Sequence, residues 1–270
     1  MTIRCFRETF AAELAAAGFV EAVTPFIAAM PGLDPLKDRE LSGGRDARSP
    51  LKVTPQFIGK DPAALRACLL RIRAAGYDTA DLNCGCPFPM VRNKGRGSGL
   101  LRTPDVLRQM LEAGCEVMGP GKFSVKVRLG VSRPDELLGL MPLFNLFPLR
   151  FLVVHARTAQ QMYEGLCDDA MRTRVEQAAQ IPIVRNGDLG LDAGEGMVGR
   201  AFIRALGARA DARTLLLRYV AASEAELAGD RPVLGRIKEL VAYWKDLPAW
   251  RRTWDLLKLC RSLDELRQVV

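Results

Sequence analysis

A chain of 270 residues, 49% hydrophobic and 26% charged, can bury a full core and is neither a fibrous nor a low-complexity sequence. Its 39 basic against 31 acidic residues give a net charge of +8, which favours a polyanionic partner. No apolar run approaches the ~18–20 residues of a membrane span, and Glu8 and Glu13 beside Arg4 and Arg7 argue against a targeting peptide. A cytoplasmic protein without membrane contact is the expectation.

In chain order, a helix over 11–17 leads into a strand over 19–27. A strand over 53–59 precedes a helix over 62–75, and a strand over 79–83 precedes one over 104–113. Strands at 123–129 and 151–155 follow with helices at 134–144 and 170–179, and further strands are expected at 181–186 and 196–199. Repeated β-then-α units predict a parallel sheet with outer helices, closed as a TIM (β/α)8-type barrel over residues 1–211. The barrel is short in two places. The chain starts in a helix with no strand before it, and residues 189–196 are too few for a crossover helix.

Beyond 212 the strands stop, and helices at 214–228, 233–244, 249–259 and 263–269 predict an all-α domain over 212–270. There Tyr243, Trp244, Trp250 and Trp254 alternate with Lys238, Lys245, Arg251, Arg252, Lys258 and Arg261. Two readings stay open: the aromatics form the core of a helical bundle, or with the basic residues they form an RNA-contacting surface.

Seven scattered cysteines and a single histidine predict reduced thiols and no metal site. The most informative string is Asp81-Leu82-Asn83-Cys84-Gly85-Cys86-Pro87-Phe88-Pro89-Met90-Val91, followed by Gly95-Arg96-Gly97-Ser98-Gly99. Cys86 falls at the carboxyl end of a strand, where parallel α/β folds place their chemistry, whereas Cys84 reads as structural. Lys126, between Val125 and Val127, points to the face opposite them, and a lysine inside a barrel needs an anionic or polar partner. The lone His155 ends another strand.

These strings, with Val125-Lys126-Val127-Arg128-Leu129-Gly130, Val154-His155-Ala156-Arg157-Thr158 and Asn186-Gly187-Asp188, resemble in order and spacing the signatures of the tRNA-dihydrouridine synthases from Thr2 to Gly199. Gly235-Arg236-Ile237-Lys238-Glu239 resembles the start of that family's helical domain. The resemblance implies FMN-dependent reduction of a tRNA uridine to dihydrouridine, with NADPH as reductant and Cys86 as general acid. A thiol with an ordinary pKa of ~8.5 is protonated near neutrality yet can release its proton. By the same resemblance Gln56, Lys126 and His155 contact the flavin ring, and Asn186, Gly187, Asp188, Gly199 and Arg200 hold its phosphate. Asn83, Arg92, Arg157, Arg236 and Lys238 are expected at the substrate RNA, and a monomer is the default.

Departures from the family pattern are local. Its opening strand would precede Thr2, the stretch between Asp188 and Met197 is abbreviated, and Ala156 and Ala201 replace residues more usual there. Arg92 stands where an asparagine is common, with Asn93 one place late. Either translation begins upstream of Met1, or the chain is a diverged paralogue that binds tRNA without flavin chemistry. A flavin barrel acting on a free pyrimidine is a third reading, disfavoured by the basic helical tail.

Overall fold

A computed structural model describes residues 3–42, 50–192 and 196–270. In chain order the helices are α1 (Arg4–Thr9), α2 (Ala11–Ala16), α3 (Pro62–Ala74), α4 (Pro89–Arg92), α5 (Pro104–Met118), α6 (Glu136–Phe144) and α7 (Asp169–Ala178). They continue with α8 (Arg200–Ala208), α9 (Ala212–Glu226), α10 (Asp230–Val241), α11 (Arg251–Leu257) and α12 (Leu263–Val269). The strands are β1 (Glu21–Val23), β2 (Ile27–Ala28), β3 (Lys52–Thr54), β4 (Gln56–Ile58), β5 (Ala80–Cys84), β6 (Phe123–Gly130), β7 (Leu152–Thr158) and β8 (Ile183–Asn186).

The chain forms two compact units, one of residues 21–48 and 52–197, the other of 1–20, 49–51 and 198–270. The boundary therefore differs from the expected 211/212. Residues 198–211 and the N-terminal helices go with the helical tail.

In the sheet unit, six strands pair in the order β2-β4-β5-β6-β7-β8, every pairing parallel. β1 pairs with β3, also in parallel, immediately upstream of the β2–β4 pairing. Pro25 and Pro55 explain the split, because a proline has no N–H to donate to a ladder. Across the break Thr24 N donates to Thr54 O at 3.0 Å, and Gln56 N donates to Thr24 Oγ1 at 3.0 Å, so the ribbon continues. Consecutive strands, each parallel to the last, make this the wall of a TIM-type (β/α) barrel. Among the described residues no strand pairs β8 back to β2. The strand expected at 196–199 is reduced to one bridge, Met197 opposite Asn186, with Met197 N donating to Arg185 O at 2.8 Å. Residues 189–192 and 196 are not helical, in line with the short crossover; residues 193–195 lie outside the described residues.

Helix ends follow local chemistry. Asp61 caps α3 by accepting from the N–H groups of Ala63 and Ala64 at 2.9 and 3.2 Å, with Pro62 at the first helical position. Gly76 ends that helix at φ +88°, a conformation that costs glycine least. Asp168 caps α7 through Met171 N at 2.8 Å.

The strands sort their side chains by alternation. Phe57, Leu82, Cys84, Val125, Val127, Leu152 and Val154 join Leu65, Leu69, Ile72, Leu107, Met110 and Leu111 of α3 and α5 in one core. The residues between them are mostly polar: Gln56, Asp81, Asn83, Ser124, Lys126, Arg128 and His155. That second face carries the chemistry.

The helical unit packs its own aromatics. Trp244 and Trp250 are buried with ring centroids 4.6 Å apart, and their Nε1 groups donate to Ile203 O and Gly207 O at 2.6 and 2.8 Å. For these two tryptophans the core reading holds, and the surface one does not.

Candidate active site

Backbone register brings the polar residues of neighbouring strands side by side. Gln56 lies opposite Asp81, Asp81 opposite Ser124, Asn83 opposite Lys126, Arg128 opposite His155 and His155 opposite Asn186. Four of them form one buried chain of hydrogen bonds. Ser124 Oγ donates to Asp81 Oδ1 at 2.6 Å, Gln56 Nε2 to Asp81 Oδ2 at 2.8 Å, and Asn83 Nδ2 to Gln56 Oε1 at 2.7 Å. The chain ends on Asn83 Oδ1, which accepts from Gly85 N at 3.1 Å and Cys86 N at 2.9 Å. A carboxylate three links away thereby fixes the backbone that carries the cysteine.

From the other side Ser98 holds the same residue. Its N–H and hydroxyl both donate to Cys86 O, at 3.1 and 2.8 Å. Gly97 sits at φ +57°, and a Cβ there would lie 2.8 Å from Cys86 Cβ, so the turn needs glycine for its conformation and for the space. Cys86 is 6% exposed. Burial pushes its thiol pKa up, against the smaller lowering effects of the Phe88 N–H, Arg128 and Lys126. Cys84, two residues earlier, is fully buried in the core, and its pKa is also raised by burial.

Arg128 was not expected to matter, yet it ties the site together. It is 1% exposed, and its Nε donates to Gly85 O at 2.9 Å while Nη1 donates to Thr158 O at 2.9 Å and Met162 O at 2.6 Å. The guanidinium also lies 5.3 Å from the centroid of the Tyr163 ring. Alternation along β5 and β6 was the signal for Arg128, Asp81 and Ser124, since each lies two residues from a recognised site position.

Lys126 is half-buried on the polar face, and its ammonium makes no hydrogen bond to any described residue. Burial, followed by the charge of Arg128, lowers its pKa to about 8, with Asp81 and Cys86 acting in the opposite sense. Burial raises Asp81 to about 6 against its hydrogen bonds from Ser124 and Gln56. A half-buried ammonium of this kind favours an acceptor-rich ligand. It fits the electronegative edge of a flavin ring.

The expected phosphate and RNA residues divide into placed and occupied. Gly187, at φ +99°, would set a Cβ 2.6 Å from both Cys167 Sγ and His155 Cδ2, so only glycine brings this backbone so close to the imidazole. Asn186 Nδ2 donates to Met197 O at 2.8 Å. Asp188 adopts φ +47° and pairs with Arg157, which holds its carboxyl below the usual range. Arg157 is 2% exposed, and its donors also reach Gly165 O at 2.6 Å, Glu164 O at 3.2 Å and Cys167 Sγ at 3.2 Å. Its guanidinium is spent on the protein, and the contact with RNA or phosphate expected of it has no free donor behind it. Gly199 and Arg200 belong to the helical unit, at the start of α8.

Arg236 and Lys238, expected at the RNA, are likewise internal to that unit. Arg236 is ion-paired with Glu226, and Lys238 Nζ donates to Lys258 O at 3.0 Å and Cys260 O at 2.7 Å, clasping the end of α11. Arg92 is half-buried at the end of the one-turn helix α4 that follows Cys86.

Residues 2–191 match the family described as dihydrouridine synthase (Dus). Among curated relatives, the tRNA-dihydrouridine(16) synthase of Vibrio vulnificus is 27% identical over 260 residues, which covers 86% of this chain and 80% of that protein. The tRNA-dihydrouridine synthase B of Proteus vulgaris is 34% identical over 137 residues, 50% of this chain and 42% of that one. The Pseudomonas aeruginosa protein of the same name is 31% identical over 135 residues, 50% and 40%. Against these last two the match spans about two-fifths of the relative's length. A solved structure of morphinone reductase in complex with tetrahydroNAD superposes with a TM-score of 0.49 at 11% identity, over 73% of this chain and 78% of that one, a likeness too slight to argue from.

Proposed function

The chain belongs to the dihydrouridine synthase family, and on that premise we propose that it reduces the C5=C6 bond of a uridine in tRNA, using FMN and NADPH. The observation that carries this reading is Cys86: a thiol kept protonated by burial, at the carboxyl end of β5, in the field of Lys126 and Arg128. When bound, reduced FMN supplies a hydride to C6 of the uracil ring. Cys86 Sγ releases its proton to C5, so the product gains one hydrogen at each carbon and the thiolate is reprotonated from solvent. The two cations favour the thiolate as it forms, which lowers the barrier without ionising the resting thiol. Asn83, Ser98 and Arg128 fix the loop from three sides, so the sulfur does not move when charge develops on it. Lys126 would hold the flavin's acceptor edge, and Gly187 would admit a close approach beside His155.

The purified chain is expected to be yellow and to oxidise NADPH only when unmodified tRNA is present. Cys86→Ala should abolish dihydrouridine formation by at least 100-fold while leaving flavin absorbance intact; an unchanged rate would remove the thiol from the mechanism. A colourless chain that still binds tRNA would favour the alternative of an RNA-binding paralogue. Because a relative matched along 80% of its length is named for position 16, that uridine is the first to map in the product.

A further inference from the structure

The loop after Cys86 carries charge that the mechanism above does not use. Between Asp81 and Asp105 the sequence has no acidic residue, but it has Arg92, Lys94, Arg96 and Arg102. The loop is packed against the cysteine. A Cβ on Gly97 would lie 2.8 Å from Cys86 Cβ and 3.2 Å from Val91 Cγ1, one on Gly99 would lie 2.3 Å from Arg92 O, and Ser98 N donates to Cys86 O at 3.1 Å, so the main chain at 92 and 97–99 is held beside Cys86. Arg92 and Arg96, four residues apart, are both half-buried, and each has its Nε shielded from solvent with no hydrogen-bond acceptor among the described residues. Neither makes an ion pair with a described residue, and the side chain of Arg96 makes one weak hydrogen bond among them, from Nη1 to Met30 Sδ at 3.7 Å. A guanidinium N–H taken out of water without an acceptor is unfavourable, and here two of them are in that state.

We propose that Arg92 and Arg96 together grip one phosphodiester of the RNA, next to the nucleotide whose base reaches Cys86. Two planar forks carried by the stretch that packs on Cys86 suit the paired oxygens of a phosphodiester. Phe88 and Met90, at the start of α4 and 49% and 82% exposed, are apolar groups of the kind on which unstacked bases pack. This inference rests on the proposed reaction for the identity of its ligand.

Binding of an unmodified tRNA transcript to the full chain, measured across a range of salt concentrations, tests it. Arg92→Ala with Arg96→Ala should weaken binding about tenfold or more and make the salt slope shallower by about 1, the signature of one lost phosphate contact, with flavin absorbance unchanged. Arg92→Lys with Arg96→Lys should keep the slope and lose about threefold in affinity, since the charge stays and the fork goes. Wild-type affinity and slope in the alanine pair would overturn the clamp. Should that pair fail to fold, wild-type affinity in the lysine pair would overturn it. The two proposals fail separately: dihydrouridine formation with wild-type KM for tRNA in the alanine pair removes the clamp alone. A wild-type chain that shows the predicted slopes but forms no dihydrouridine removes the reaction alone.

Discussion

Asp81 and Lys126 face the same side of adjacent strands, and burial moves both toward neutrality, to about 6 and about 8. Near pH 7 both are therefore largely charged, and each holds its charge at a cost to folding. For Asp81, whose pKa rises from 3.8, the neutral form is favoured in the fold, so stability present below pH ~4 is lost as pH rises through about 6. Asp81→Asn should remove this dependence, so that its stability relative to wild type improves by about 2 kcal/mol between pH 4 and pH 7 in urea titrations. Lys126 runs the other way: its pKa falls from 10.5, so stability is lost as pH drops through about 8. Lys126→Met should be about 1–2 kcal/mol more stable at pH 7 while retaining less flavin on gel filtration. A mutant that loses both stability and flavin would mean that the ammonium is structural.

At the scale of elements, the strands and the helices beside them were readable because their signals are local. Asp61-Pro62 and Gly76 bracket α3 almost where the periodicity placed it, and alternation along β5, β6 and β7 separated a core face from a polar one. Helix α8 was missed because Gly199 was read as the end of a strand, although Phe202, Ile203 and Leu206 already show helical spacing. Packing can also reverse a local preference. Gly114 lies inside α5, where alanine would gain about 1 kcal/mol of helix propensity, yet a Cβ there would meet the Phe123 ring at 2.1–2.4 Å. A clash with a buried ring outweighs that gain. Gly114→Ala should lower the melting temperature, with a net loss of about 1–3 kcal/mol.

For the whole molecule the question is which of the 39 basic residues face a partner. Arg236 does not: its partner Glu226 is ten residues away in sequence, and the pair lies half-buried within the helical unit. Arg236→Ala should cost about 2–3 kcal/mol in thermal unfolding and leave the salt slope of tRNA binding unaltered, whereas a shallower slope would return it to the RNA surface. Sequence alone determined that this chain builds a parallel α/β sheet, that Cys86 follows the carboxyl end of a strand and that its motifs resemble those of the dihydrouridine synthases. The first two follow from periodicity and from residues adjacent in the chain, and the third from the order and spacing of those motifs. Tertiary structure decided which polar groups are already spent, as Arg157, Arg236 and Lys238 are, and which make no side-chain hydrogen bond among the described residues, as Lys126 and Arg92 do not. Hydrogen-bond saturation depends on neighbours contributed by distant segments, and no local pattern carries that information.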